Sequence, residues 1–170
     1  MRSTMNTRYD DANLLHRSLR RFGATRPGSW FFARTLDHLD RFVYRATRGR
    51  TTAASVLSGL PVVMLTTTGA RSGRRITTPI LGMPEGNTVV VIASNYGQAH
   101  HPGWCHNLRK EPRAAVGAVG EPQHPVTAQE VEGEERERLI ALAAEIYPGF
   151  PIYVERAAPR RIAVFRLIPS

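Results

Sequence analysis

Residues 61–94 read PVVMLTTTGARSGRRITTPILGMPEGNTVVVIAS, and the three β-branched runs in that stretch set the fold. PVVMLTTT (61–68) is bounded by Pro61 and Gly69; RITTPILG (75–82) and TVVVIAS (88–94) follow, separated by MPEGN. Runs rich in Val, Ile and Thr, broken by Gly, Pro and Asn, read as strands. Short connections between consecutive strands imply antiparallel pairing.

Downstream, RAAVGAV (113–119) and PVTAQEV (125–131) read as two more strands around the turn GEPQH, and RIAVFRLI (161–168) as a last one. Between them the period changes at Gly133. EERERLIALAAEIY places Leu139, Leu142, Ala143 and Ile146 on one helical face, with Glu134 and Arg138 four apart, and PGFP is expected to stop that helix. The order of elements is not the βαβ alternation of a doubly wound sheet. It predicts a mainly β, α+β architecture: an antiparallel sheet curled into a small barrel with helices at its edge.

Upstream, Phe32, Leu36, Leu39 and Val43 recur at helical spacing within residues 30–46, flanked by Arg34, Arg41 and Arg45. Such a helix packs on the core or lies on an anionic membrane surface. Residues 1–28 lack periodicity and end in the turn signal RPGS, so they read as a mobile basic arm ahead of a single domain over 29–170. The 170 residues suit one domain, and 42% hydrophobic content with 14 Gly and 12 Pro suits a core built from short elements.

The net charge of +9 is lopsided: residues 1–50 carry eleven Arg and four Asp, whereas the remainder is nearly balanced. Neither a helix-turn-helix nor an aromatic-basic sheet pattern accompanies it, so nucleic acid is not the expected partner. The single cysteine, Cys105, rules out an intramolecular disulfide and points to a reducing compartment. No apolar run has the length of a membrane span, and the N-terminus lacks a secretory signal.

Dinucleotide, P-loop, zincin and nucleophile-elbow motifs are absent. His100, His101, Cys105 and His106 do not have structural-metal spacing, so no metal is expected. Three segments remain. GARSGRR (69–75) has two glycines that let N–H groups converge and adds Arg71, Ser72, Arg74 and Arg75; it suits an anion or is an ordinary solvated turn. ASNYGQAHHPGWCHNLRKEP (93–112) ends a strand in small residues, which lets a flat ligand approach the backbone, and reaches Pro102, which starts a short helix carrying Trp104 and Asn107. YPGFPIY (147–153) gathers three rings, as the wall of an aromatic-binding pocket or as a hydrophobic plug.

Taken together, LTTTGARSG followed by TTP, ASN-x-G-x-x-x-HP-x-W-x-HNL, the E-x-E-E-R start of the later helix, YPG-x-x-x-Y and R-x-I-x-V resemble the deazaflavin-dependent nitroreductase and quinone reductase family of actinobacteria, over roughly residues 59–169. The resemblance implies a split β-barrel of the flavin mononucleotide-binding type and an oxidoreductase that takes hydride from reduced coenzyme F420, an 8-hydroxy-5-deazaflavin. The acceptor would be a quinone, nitroaromatic or activated alkene. Arg71, Ser72, Gly73 and Arg75 would contact the coenzyme's anionic tail, with Thr78 and Pro79 nearby. Ala93, Ser94, Asn95, Pro102, Trp104 and Asn107 would line the ring and its linker. Tyr147, Phe150 and Tyr153 would form the acceptor pocket, in which Tyr147, Tyr153 and Ser94 orient the acceptor oxygen. Ile76 stands where the family often has a basic residue, and Phe150 where some nitro-activating relatives have Tyr.

Rival readings are a flavin mononucleotide or haem binder of the same architecture, and a non-catalytic module whose basic arm holds anionic lipid or nucleic acid. The expected location is the cytoplasm, with residues 1–50 as the part that would touch the inner face of the membrane.

Overall fold

The structure, a computed structural model, describes residues 61–147 and 149–170. The arm at 1–28 and the helix expected at 30–46 lie outside them. Six strands appear: β1 (Val62–Thr68), β2 (Arg75–Glu85), β3 (Thr88–Ile92), β4 (Arg113–Ala118), β5 (His124–Val131) and β6 (Val164–Pro169). They close antiparallel into one barrel in the order β1-β2-β3-β6-β5-β4. Helices α1 (Gly103–Lys110), α2 (Gly133–Ile146) and α3 (Gly149–Ala157) fill the connections.

The period-2 geometry of a strand with both faces covered explains why Val89–Ile92 is continuously apolar. Val91 points into the barrel with Val63, Leu65, Val116, Phe165 and Leu167, whereas its neighbour Val90 packs outside with Val164 beneath α2 and α3. Trp104, Cys105 and Leu108 of α1 join the barrel interior, and Trp104 meets Phe165 edge to face at 6.0 Å. Leu139, Ile140 and Ala143 of α2 join the outer layer.

All six expected strands form, with shifted ends. β2 runs on to Glu85, leaving a tight turn at Gly86–Asn87 in which Gly86 has φ +61, a value that favours glycine. β6 starts at Val164, three residues later than expected; ahead of it Ala163 O still accepts from Ala93 N–H at 2.9 Å beyond the end of β3. Of β2, β3 pairs only with Gly82–Glu85, so among the described residues β2 has a neighbour on one side alone over Arg75–Leu81. Pro79 sits in that half, where a missing donor costs no ladder bond.

One element was not expected from the sequence. α2 ends at Ile146, as PGFP predicts, but a further helix, α3, begins at Gly149 and carries Phe150 and Tyr153 of the aromatic segment. Pro151 falls in the first turn of α3, where its lost N–H has no intrahelical acceptor to miss.

Candidate coenzyme and acceptor site

The β1–β2 hairpin turn is closed by Gly69 N–H donating to Arg74 O at 2.8 Å and Gly73 N–H donating to Gly69 O at 2.8 Å. Gly73 has φ +66. A side chain at Gly69 would run into Ser72 Oγ, which folds over the turn and accepts from Arg74 N–H. Arg71, Ser72, Gly73, Arg74 and Arg75 are all exposed. Among the described residues, no carboxylate pairs with the three arginines, and the N–H groups of Arg71 and Ser72 have no acceptor. Thr78 and Pro79 lie half-buried farther along β2, opposite Leu65 and Met64. Beside the hairpin, a cleft of about 330 Å³ is lined by Thr68, Arg75, Glu111, Arg113, Ala114 and Pro125.

Helix α1 holds this turn from behind. Asn107, buried, accepts from Ala70 N–H at 2.8 Å and donates to Thr67 Oγ1 at 2.9 Å; Lys110 Nζ donates to Ala70 O at 2.6 Å. The side chain expected to line a ring is thus bonded to the hairpin. Trp104, expected as a ring wall, is 7% exposed and packs in the barrel core. Pro102 caps the helix start, as its position before Gly103 predicts, and its carbonyl accepts from Cys105 N–H.

The loop at the other end of α1 follows β3. Ala93 is buried in the barrel, and Ser94 and Asn95 are half-buried. Asn95, Tyr96 and Gly97 have φ of 48, 54 and 76°, three left-handed residues in succession. Asn tolerates that region, but each non-glycine there costs roughly 1–3 kcal/mol and persists only where surrounding contacts over-determine it. Those contacts are Asn95 Nδ2 donating to His100 O at 3.0 Å, and the guanidinium of Arg160, which donates to Ala93 O, Ser94 O and Gln98 O at 3.0, 2.9 and 2.9 Å. At Gly97 an added Cβ would meet Arg156 Cβ at 2.8 Å and the Tyr153 backbone at 3.2 Å, so α3 sits directly on the loop.

Tyr147, Phe150 and Tyr153 are buried and mutually packed, with ring centroids 5.7–6.4 Å apart and the two tyrosine hydroxyls 2.8 Å from each other. Tyr96 meets Tyr153 edge to face at 6.1 Å and so ties the loop to this cluster. Burial, then the neighbouring Tyr147, drives the Tyr153 phenol well above its ordinary pKa, so it stays a proton-bearing donor. Burial pushes the Cys105 thiol up to about 11, which leaves it inert as a nucleophile. His101 is lowered, by burial first and then by Arg109 and Arg160, and its Nδ1 lies 3.3 Å from Arg160.

The arrangement brings together an unpaired cationic turn and a strand end of small residues, bracketed by a helix about 12 Å long, and sets an aromatic cluster against the strand-end loop. Sequence reasoning passed over Arg160 and Tyr96. The first lies in R-x-I-x-V and the second is the variable position of ASN-x-G, so both had a place in the pattern without a role. The donor set fits a polyanionic tail: among the described residues, three guanidiniums have no carboxylate partner and two backbone N–H groups have no acceptor.

A family model described as F420H(2)-dependent quinone reductase matches residues 37–169. A Mycobacterium tuberculosis relative named for F420H(2)-dependent quinone reduction is 31% identical over 103 residues, 59% of this chain and 86% of its own. A second, from the same species and named F420H(2)-dependent quinone reductase, is 33% identical over 97 residues, 57% of this chain and just under two-thirds, 64%, of its own length. A solved structure of an F420-H2 dependent reductase, FDR-A, is 37% identical with a TM-score of 0.57, covering 63% of this chain and 93% of that one. The chain belongs to the F420H(2)-dependent quinone reductase family, oxidoreductases whose reductant is reduced coenzyme F420.

Proposed function

We propose that this chain delivers hydride from reduced F420 to a quinone. The observation that carries the reading is the β1–β2 hairpin, where Arg71, Arg74 and Arg75 have no carboxylate partner among the described residues while α1 fixes the turn through Asn107 and Lys110. Arg71, Arg75 and the N–H groups of Arg71 and Ser72 hold the phosphate and glutamate tail; Gly73 supplies the backbone shape, and Thr78 and Pro79 border it. Ala93, Ser94 and Asn95 lie against the ring, with Pro102 closing the far side. Asn107 acts through the hairpin and Trp104 through the core that supports the loop.

When bound, the reduced coenzyme supplies the hydride; the protein supplies orientation and exclusion of water. Tyr153, held protonated by burial, and Tyr147 offer hydroxyl donors to the acceptor oxygen as negative charge develops on it, with Ser94 as a third. Phe150 shapes the acceptor space without a hydroxyl of its own, which favours quinones over nitro compounds. Arginine-rich residues 1–50 are the part of the chain that would bring it to an anionic membrane holding such quinones. No helix among the described residues is long and apolar enough to cross one.

Fluorescence titration with F420, flavin mononucleotide and haem, followed by anaerobic turnover of reduced F420 against quinones, nitroaromatics and enones, tests this. Preferential F420 binding with fastest turnover on quinones is expected. Tight flavin or haem binding without F420 binding removes the reading. Co-sedimentation with phosphatidylglycerol vesicles, lost when residues 1–28 are deleted, is the expected membrane result.

A further inference from the structure

We infer that Arg160 is the positioning residue of the strand-end loop, and that its guanidinium sets the shape in which Ala93–Asn95 meet the coenzyme. This rests on the reading that those residues lie against the ring. Arg160 is separated from the loop by more than 60 residues of chain, yet its three nitrogens reach three loop carbonyls, Ala93 O, Ser94 O and Gln98 O, all within 3.0 Å. No carboxylate among the described residues pairs with it. A backbone carbonyl turned from solvent needs a donor, and here one planar fork reaches three part-buried ones.

The bonds fall where the backbone is least comfortable. Ser94 O and Gln98 O flank the left-handed run Asn95–Gly97, and Ser94 O also accepts from Gly97 N–H at 3.0 Å. Removing the fork takes two of the bonds that flank two non-glycine residues at positive φ, leaving the 3-10 turn, the Asn95 side chain and the Tyr96–Tyr153 contact to hold a strained run. The segment carrying Arg160 is itself anchored: Ala163 O accepts from Ala93 N–H at 2.9 Å, and Ile162 O accepts from the buried Arg136 at 2.7 Å. The fork therefore transmits a fixed frame to the loop. A lysine, with one nitrogen, has no geometry that reaches three separated carbonyls.

Arg160→Ala and Arg160→Lys, compared with the unaltered protein, test this by two readouts. Without ligand, amide exchange at Gly97 and Gln98 should accelerate by about tenfold or more in both variants, while amides of β1 and β6 keep their protection. With F420, affinity should fall by about tenfold or more in both variants, and added methylguanidinium should restore it in the alanine variant alone. Unchanged exchange at Gly97 and Gln98 overturns the inference. So does lysine behaving as arginine does, or F420 affinity in Arg160→Ala equal to that of the unaltered protein. If the unaltered protein binds no F420, the coenzyme reading fails on its own and the exchange result alone decides the loop.

Discussion

The two ends of the barrel treat arginine differently. At the end where β2 turns into β3, Glu85 accepts from Arg138 and Arg166, and Glu135 accepts from the same two, so both guanidiniums are shared between both carboxylates. At the other end, Arg71, Arg74 and Arg75 project from the β1–β2 turn with no carboxylate among the described residues. The folding energetics of the paired end are complete within the chain. The hairpin end carries like charges on one turn, a mildly repulsive arrangement that a bound anion would relieve. On the proposed reading, the contrast separates arginine as scaffold from arginine as docking group.

The largest effect should come from breaking the docking end. Replacing Arg71 and Arg75 together by alanine is expected to weaken F420 binding by about 100-fold, two charge-assisted contacts at roughly 1.5 kcal/mol each, with an unchanged Tm. Calorimetric titration and thermal unfolding of one sample read both. Replacing Arg138 and Arg166 should do the opposite: a lower Tm with F420 affinity intact. Loss of affinity in that pair would erase the distinction between the ends.

Next is Asn107→Leu, which removes the amide joining Ala70 and Thr67 and leaves both partners unsatisfied; denaturant unfolding should show a loss of about 1–3 kcal/mol, with weaker F420 binding as the turn loosens. A smaller effect is expected from acid. Hydrogen bonds from Arg138 and then Arg166 hold Glu135 down to about 2, and the same two hold Glu85 below its ordinary range. Because these folded-state pKa values are depressed, their contribution is present above about pH 4.5 and is lost as pH falls toward 2. Thermal unfolding between pH 5 and pH 2 should show this decline, and Glu135→Gln should flatten it. Smallest is Tyr153→Phe, which removes the bond to Tyr147: quinone turnover should fall several-fold with F420 affinity unchanged, a difference of about 1 kcal/mol in kcat alone.

Much of this was legible in the chain. Apolar runs bounded by Gly, Pro and polar turns located every described strand, and the glycines of GARSGRR located a tight turn rich in arginine, because both signals are local. The misses were non-local. PGFP does end α2 as read, but nothing local shows that Pro151 also falls in the first turn of a new helix, α3. Asn107 and Trp104 carried the right motif, but what each touches, Ala70 and Thr67 in one case and Phe165 in the other, depends on how α1 enters the barrel. Arg160 has no local signal of its task, since all three carbonyls it binds lie more than 60 residues away.

A crystal structure of the protein with F420 bound is the most direct test. The account predicts tail phosphate or carboxylate oxygens within hydrogen-bond distance of the Arg71 guanidinium and the Ser72 N–H, with the ring against Ser94. A tail running elsewhere, with the β1–β2 turn facing only solvent, would contradict it.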